Sequence, residues 1–278
     1  MKITKFHTGV ALTTSLLLAA LTGCGAANTA SSSASSSTST SVSASSNSAK
    51  KHTSFFVKDN GDGTKVIKDI DGKEVTVPTN PERIADLWHA NNQVVLLLGG
   101  AEKLVSTTTN VKSLAWFKQV YPGIEKVDAP VKGTDVNMEQ LLADKPEVLL
   151  ASSKDQIAKA TEAGIPAVHV EFQNFADLKR TVELTAEVIG TDEAIERAEK
   201  YLAYLEKNEN LIKERLKDVT DAPKVLHIAG GSDLTKVDGS NSLIGEWMKL
   251  SGAKNSLDGV ENLKNISLEQ IIASQLSL

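Results

Sequence analysis

Cysteine is nearly absent: Cys24 is the only one among 278 residues. No disulfide can form within the chain, which excludes the disulfide-stapled class of small secreted domains. A basic excess is also missing, with 30 Lys and Arg against 35 Asp and Glu. Nucleic acid, which favours a basic face, is therefore not an expected partner. The apolar run over residues 9–21 falls short of the roughly 20 residues that a spanning helix needs. No Gly-rich phosphate loop follows a strand-like segment, and no Ser-His-Asp or cysteine nucleophile can be assembled. The chain is read as a non-enzyme, with no catalytic residue.

The first residues read as an address rather than a fold. Lys2 and Lys5 give a basic start, residues 9–21 an apolar stretch, and Leu21-Thr22-Gly23-Cys24 a small-residue cleavage site. That pattern is a secretory signal over residues 1–23, with Cys24 standing where a bacterial lipoprotein carries its lipidated thiol. Removing Lys2 and Lys5 leaves 28 basic against 35 acidic side chains, a net charge of −7. Residues 24–53 are mostly Ser, Thr and Ala and lack the apolar surface to offset ordering, so a flexible tether is expected. The expected location is the extracytoplasmic face of the cell membrane, lipid-anchored.

A seven-residue stretch occurs twice. Asn137-Met138-Glu139-Gln140-Leu141-Leu142-Ala143 returns as Ser267-Leu268-Glu269-Gln270-Ile271-Ile272-Ala273. Asn137 with Gln140, and Ser267 with Gln270, read as capping boxes, each opening a helix. The apolar residues fall at i, i+3 and i+4, and the glutamate sits about 100° off that stripe, toward solvent. Either glutamate alone could simply complement its helix dipole. The matched pair favours a two-lobed protein offering one carboxylate per lobe.

Around these repeats the pattern alternates. Residues 65–77 read as a hairpin about Asp71-Gly72. Residues 83–88 and 104–108 read as strands, with a helix capped by Asn91 or Asn92 between them, and residues 110–132 as irregular. After the first repeat come strands over 148–151 and 167–170, and helices over 156–163 and 175–189, the second stopped by Gly190. Such alternation implies a parallel sheet covered on both faces. A single helix over about 192–219 would span roughly 40 Å, enough to bridge two lobes. Beyond Pro223 lie a strand over 224–229, Gly230-Gly231, a helix over 243–250 with Trp247 assigned to the core, and the second repeat. The expected fold is α/β: two lobes with mainly parallel sheets, residues 54–190 and 223–278, joined by one long helix within residues 191–222. The second lobe is expected to be incomplete, because it holds 56 residues against 137 in the first. The sequence is read as truncated or frame-shifted after about Ala273.

The lipoprotein start, the hairpin before Pro78, the run from Asn137 to Leu149 with its Asp144-Lys145-Pro146-Glu147 step, and Ala163-Gly164-Ile165-Pro166 together resemble a known family. So do Asp238-Gly239-Ser240-Asn241-Ser242-Leu243-Ile244 and Ser251-Gly252-Ala253-Lys254-Asn255. These motifs resemble the iron-siderophore, haem and cobalamin binding proteins of ABC importers, over residues 66–273. The resemblance implies two α/β lobes bridged by a rigid helix, with a ferric siderophore, haem or corrinoid in the cleft between them. It also implies one glutamate per lobe, here Glu139 and Glu269, docking on a two-fold symmetric ABC permease dimer, with the binding protein itself a monomer. No covalently bound cofactor is implied.

In open parallel sheets the ligand lies at the carboxyl ends of the strands. That nominates Trp88, His89, Asn91, Asn110, Trp116, Phe117, Lys132, Ser152, Phe172, Gly231 and Asp238. Aromatic rings suit the faces of a chelate or porphyrin, and a Lys suits an anionic one. Trp116 and Phe117 would equally suit the packing of a long loop, and Lys132 a solvated surface. The rival reading is a binding protein for bare zinc or manganese, using His89, His169 and His227 with a carboxylate. Against it, His169 and His227 sit mid-strand between apolar neighbours, where a buried, hydrogen-bonded histidine is the commoner state, and no His-rich loop occurs.

Overall fold

A computed structural model of the chain describes residues 50–133, 135–261 and 264–274. Cys24, the signal segment and the tether up to residue 49 lie outside the described residues. The first described element is an antiparallel sheet of β1 (Phe56–Asp59), β2 (Thr64–Lys68) and β3 (Glu74–Pro78), in that order. The expected hairpin is β2–β3, pairing Lys65 with Val77 and Lys68 with Glu74. Strand β1, absent from the sequence reading, adds to its edge through Asp59 and Lys65.

The main sheet draws on β4 (Ile84–Asp86), β5 (Leu104–Thr108), β6 (Asp128–Lys132), β7 (Asp135–Val136), β8 (Val148–Ala151) and β9 (Ala167–His169). Its order is β7-β6-β5-β4-β8-β9. All neighbours are parallel except β6 and β7. The chain lays down β4, β5 and β6 outward, then returns to the other side of β4 for β8 and β9. Strand order therefore reverses at β4, and the loops that leave β4 and β8 diverge there, the arrangement that opens a crevice in doubly wound sheets.

Side-chain alternation explains why both faces need covering. Ile84, Val148, Leu150 and Val168 bury one face against α1 (His89–Leu97) and α6 (Phe175–Ile189). Ala85, Leu149, Ala151 and Ala167 bury the other against Leu141 of α4 (Met138–Ala143) and Ala160 of α5 (Lys154–Glu162). Residues 110–132 are not irregular. They form most of α2 (Thr109–Ser113), all of α3 (Ala115–Val120), a 3-10 turn at Pro122–Lys126 and β6. Phe117 is fully buried there, so α3 is fixed by its packing, which short-range propensity does not reveal.

Helix α6 ends at Gly190, whose φ of 78° is left-handed; an added Cβ would lie 2.2 Å from the Thr79 carbonyl oxygen. The long helix follows as α7 (Asp192–Leu216), 25 residues capped by Thr191 and about 37 Å long. On α6, Glu187 is buried and accepts from Lys65 Nζ at 2.9 Å, from the Thr53 amide at 2.8 Å and from the Thr53 hydroxyl at 3.2 Å, with His52 Nδ1 at 3.0 Å. Lys65 Nζ also donates to the Glu187 carbonyl. This cluster ties the start of the described chain and the hairpin to α6.

The remaining strands are β10 (Lys224–Val225), β11 (His227–Gly230), β12 (Asp233–Asp238), β13 (Lys254–Asn255) and β14 (Lys264–Asn265), with helices α8 (Leu243–Leu250) and α9 (Leu268–Ala273). Among the described residues here, β10 and β13 pair in parallel and an isolated parallel bridge joins Asn241 to Glu261, whereas the three-stranded sheet β11-β12-β14 is antiparallel. Strand β12 was not expected, and it forms because Gly231, with φ of 58°, turns the chain tightly after β11. Trp247, assigned to the core, is 55% exposed, with its ring 5.7 Å from that of Phe175.

Candidate functional site

The carboxyl end of β4 is a polar knot. Asp86 is fully buried and its carboxyl accepts from the Trp88 amide at 3.1 Å and from Asn91 Nδ2 at 3.0 Å. Asn91 Oδ1 accepts in turn from the Thr185 hydroxyl of α6 at 3.0 Å. Asn92 donates to the Asp86 and Trp88 carbonyls and accepts from the Thr107 hydroxyl at 2.7 Å. Burial pushes the Asp86 carboxyl up to about 8, more than the Trp88 and Asn91 donors pull it down. Asn91 and Asn92 are thus inside α1, which starts at His89 with Trp88 as a cap residue lacking a side-chain bond. Asn91 serves this network instead of facing a ligand, and neither asparagine caps the helix.

Above the knot, Trp88 is half-buried with its ring 4.8 Å from Phe172, on the loop leaving β9. This pair joins two residues nominated from the sequence. His89 and Asn110 are exposed at the carboxyl ends of β4 and β5, Lys132 is exposed at the end of β6, and Ser152 is half-buried after β8. Trp116 is 38% exposed and stacks on Phe117 at 3.8 Å. Phe117 itself has no exposed surface and leaves the candidate set. Asp238 leaves it too: it is buried and bound to His227 Nδ1 at 2.7 Å. Gly231 serves the β11–β12 turn.

Past Phe172 the loop borders a crevice of about 680 Å³ lined by Gln173, Asn174, Ser240, Asn241, Ser242, Glu246 and Glu261. One wall is the loop between β9 and α6; the other is the segment between β12 and α8 together with Glu246 of α8 and Glu261 after β13. Asn174 caps α6 by accepting from the Asp177 amide at 2.8 Å, and Ser242 caps α8 by accepting from the Gly245 amide at 2.9 Å. Both helices therefore begin at the crevice. Glu246 of α8 spans it, accepting from the Phe175 amide at 2.5 Å, and Glu261 pairs with Lys264 at 2.8 Å. The second wall is built by close backbone approach: a Cβ on Gly239 would lie 2.0 Å from the Val260 carbonyl oxygen. Of these lining residues only Gln173, beside Phe172, lies in a loop that the sequence nominates. Asn174-Phe175-Ala176-Asp177 and Ser242 are recognisable as helix caps, which is the signal that could have found them.

Glu139 and Glu269 are both exposed at the second position of a helix. Asn137 accepts from the Gln140 amide at 3.1 Å, and around Ser267 the reciprocal box is complete. The Glu269 carboxyl is held below its usual range by its own amide and by the Ser267 hydroxyl. The three histidines do not converge: His89 is exposed, His169 is buried with Nδ1 3.0 Å from Asp71, and His227 holds Asp238. Among the described residues no group of three or more His, Cys, Asp or Glu side chains is placed to hold a metal ion.

A sequence model of the family described as periplasmic binding protein matches residues 84–276. The chain belongs to that family. This periplasmic binding protein is 26% identical over 199 residues to YvrC of Bacillus subtilis (strain 168), an uncharacterised ABC transporter substrate-binding lipoprotein, covering 68% of this chain and 60% of YvrC. It is 24% identical over 234 residues to the molybdate-binding protein MolA of Haemophilus influenzae, covering 75% of this chain and 66% of MolA. The chain thus spans under two thirds of the length of each of these relatives. The structure of MolA bound to molybdate superposes with a TM-score of 0.67 at 23% identity, covering 76% of this chain and 71% of that one. CeuE of Helicobacter pylori, in a Ni-His complex, gives 0.63 at 20% identity, covering 77% and 69%. Like these, the periplasmic binding protein described here is α/β, and among its described residues no helix is long and apolar enough to cross a membrane.

Proposed function

We propose that this protein is the solute-binding component of an ABC importer, held at the extracytoplasmic face by a lipid on Cys24. Acting as a monomer, it takes up a metal complex, a ferric siderophore, haem or corrinoid, and delivers it to a permease dimer. The observation that carries this reading is the crevice of about 680 Å³ lined by Gln173 and Asn174 of the loop after β9, the same loop whose Phe172 meets Trp88. Aromatic faces and a rim of amides and hydroxyls suit a flat or bulky chelate. A bare metal ion would need converging ligands, and the three histidines stand apart.

A second reading, an oxyanion ligand, is favoured by one observation: α6 and α8 both start at the crevice, and helix N-termini attract anions. The likeness to MolA points the same way. Against it, the Glu246 carboxylate already accepts from the first amide of α6. Glu139 and Glu269 are the proposed contacts to the permease, since a two-fold partner repeats each docking site and Arg–carboxylate pairs give orientation and on-rate.

The test is tryptophan fluorescence of the full chain titrated with ferric hydroxamate, ferric catecholate, haem, cobalamin and molybdate. Quenching by one of the metal complexes is expected. Saturable binding of molybdate alone would replace the first reading with the second, and silence toward all five would overturn both.

A further inference from the structure

The Asp86 carboxyl is the one feature of the candidate site that the binding role leaves without a task. It has no exposed surface, lies at the carboxyl end of the strand where the sheet reverses its order, and touches the backbone of the residue that carries the rim aromatic. Its partners are neutral: the Trp88 amide and the Asn91 side chain, the latter braced by Thr185. A carboxylate enclosed this way has two donors for about four lone-pair sites and no cation beside it.

Among the described residues, no other titratable side chain bonds to this knot. Strands β5 and β8 carry no ionisable side chain. Helix α1 carries His89, which is exposed. On α6, Glu187 is bound to Lys65, Lys179 to Glu209, Arg180 to Asp177, and Glu183 to the Ser54 hydroxyl. Gaining or losing a proton at Asp86 must therefore be absorbed by its own hydrogen bonds. As a carboxylic acid it offers one O–H and weakened acceptors; as a carboxylate it pulls on both donors.

We propose that Asp86 is a positioning residue of the ligand site, coupling its own protonation to the placement of the Trp88 ring against Phe172. The coupling runs through the Trp88 amide and the first turn of α1, and it rests on the reading of the Trp88–Phe172 rim as part of the ligand wall. The raised carboxyl places the change near pH 8, within reach of ordinary extracytoplasmic conditions.

The test needs no ligand, so its outcome is separate from that of the titration above. The full chain is labelled with 5-fluorotryptophan and with aspartate carrying ¹³C at its carboxyl, and both nuclei are followed from pH 6 to 10. One aspartate carboxyl titrating near pH 8, with the Trp88 fluorine (assigned by Trp88→Phe) shifting at the same midpoint and Trp116 and Trp247 unmoved, supports the proposal. Asp86→Asn should abolish both transitions. A Trp88 signal flat across the range, a shift that persists in Asp86→Asn, or the absence of any aspartate titrating above the usual value of about 3.9 overturns it. Should Asp86→Asn not fold, the two wild-type titrations still decide.

Discussion

Lys65 and Glu187 show what a single residue pair commits the fold to. Both are buried, 122 positions apart, and each satisfies the other. Burial pushes the Lys65 ammonium down. It would also raise the Glu187 carboxyl, but the Lys65 charge and the Thr53 amide hold that group below its usual range. Removing one partner strands a charge in the interior, so Glu187→Gln is expected to cost about 3–5 kcal/mol in urea denaturation. Because the Glu187 value is depressed in the fold, its contribution is complete above the unfolded value of about 4.3 and is lost as pH falls through the folded one. Asp86 works with the opposite sign. The folded chain keeps a proton that the unfolded chain releases at about 3.9, so this contribution is complete below that value and declines until about pH 8. Urea midpoints should therefore fall from pH 5 toward 9 in the wild type, and the fall should be shallower in Asp86→Asn. The sequence could place Lys65 on the same strand face as Ile67, but nothing local points to a partner so far along the chain.

Elements were legible where a periodic pattern met a stop signal. Strands β4, β5, β8 and β9, and α6 with its Gly190 stop, follow alternation and glycine chemistry, whereas β6 and β7 carry no such pattern. Helices α2 and α3 were missed because helices of five and six residues carry too little periodicity and are held by packing. Strand β12 was missed because Asp233-Leu234-Thr235-Lys236-Val237-Asp238 reads as polar and turn-like until Gly231 is seen to fold it back on β11. The adjacent aromatics of α3 separate packing from exposure. Phe117→Ala is expected to cost about 3–5 kcal/mol and Trp116→Ala clearly less, as measured by thermal or urea unfolding. The Gly190 stop is equally specific: Gly190→Ala must adopt a left-handed backbone and push its methyl against Thr79, and a loss of at least about 2 kcal/mol in the same assay is expected.

At the scale of the whole molecule, the repeat seen in sequence becomes a repeat in structure: α4 and α9 each start on a side-chain cap and expose a glutamate at the same position. The crevice was not legible in that way, because its lining comes from loop and cap residues that meet only when the main sheet and the segment before α8 are assembled. The twin carboxylates make a separable prediction. In the complete transport system, Glu139→Arg or Glu269→Arg should leave ligand affinity unchanged and abolish uptake; transport at the wild-type rate would remove these residues from the docking role.

The ion pair between the hairpin and α6 also sets a timetable. Lys65 has to wait for residue 187 before it can be satisfied, and β4 for β8, whose Val148 it meets through Ile84. A polypeptide synthesised from its N-terminus therefore cannot lock its leading segment until most of this region has emerged. During refolding, amide protection in β2 should appear no sooner than in α6, and pulse-labelled hydrogen exchange would show whether it does.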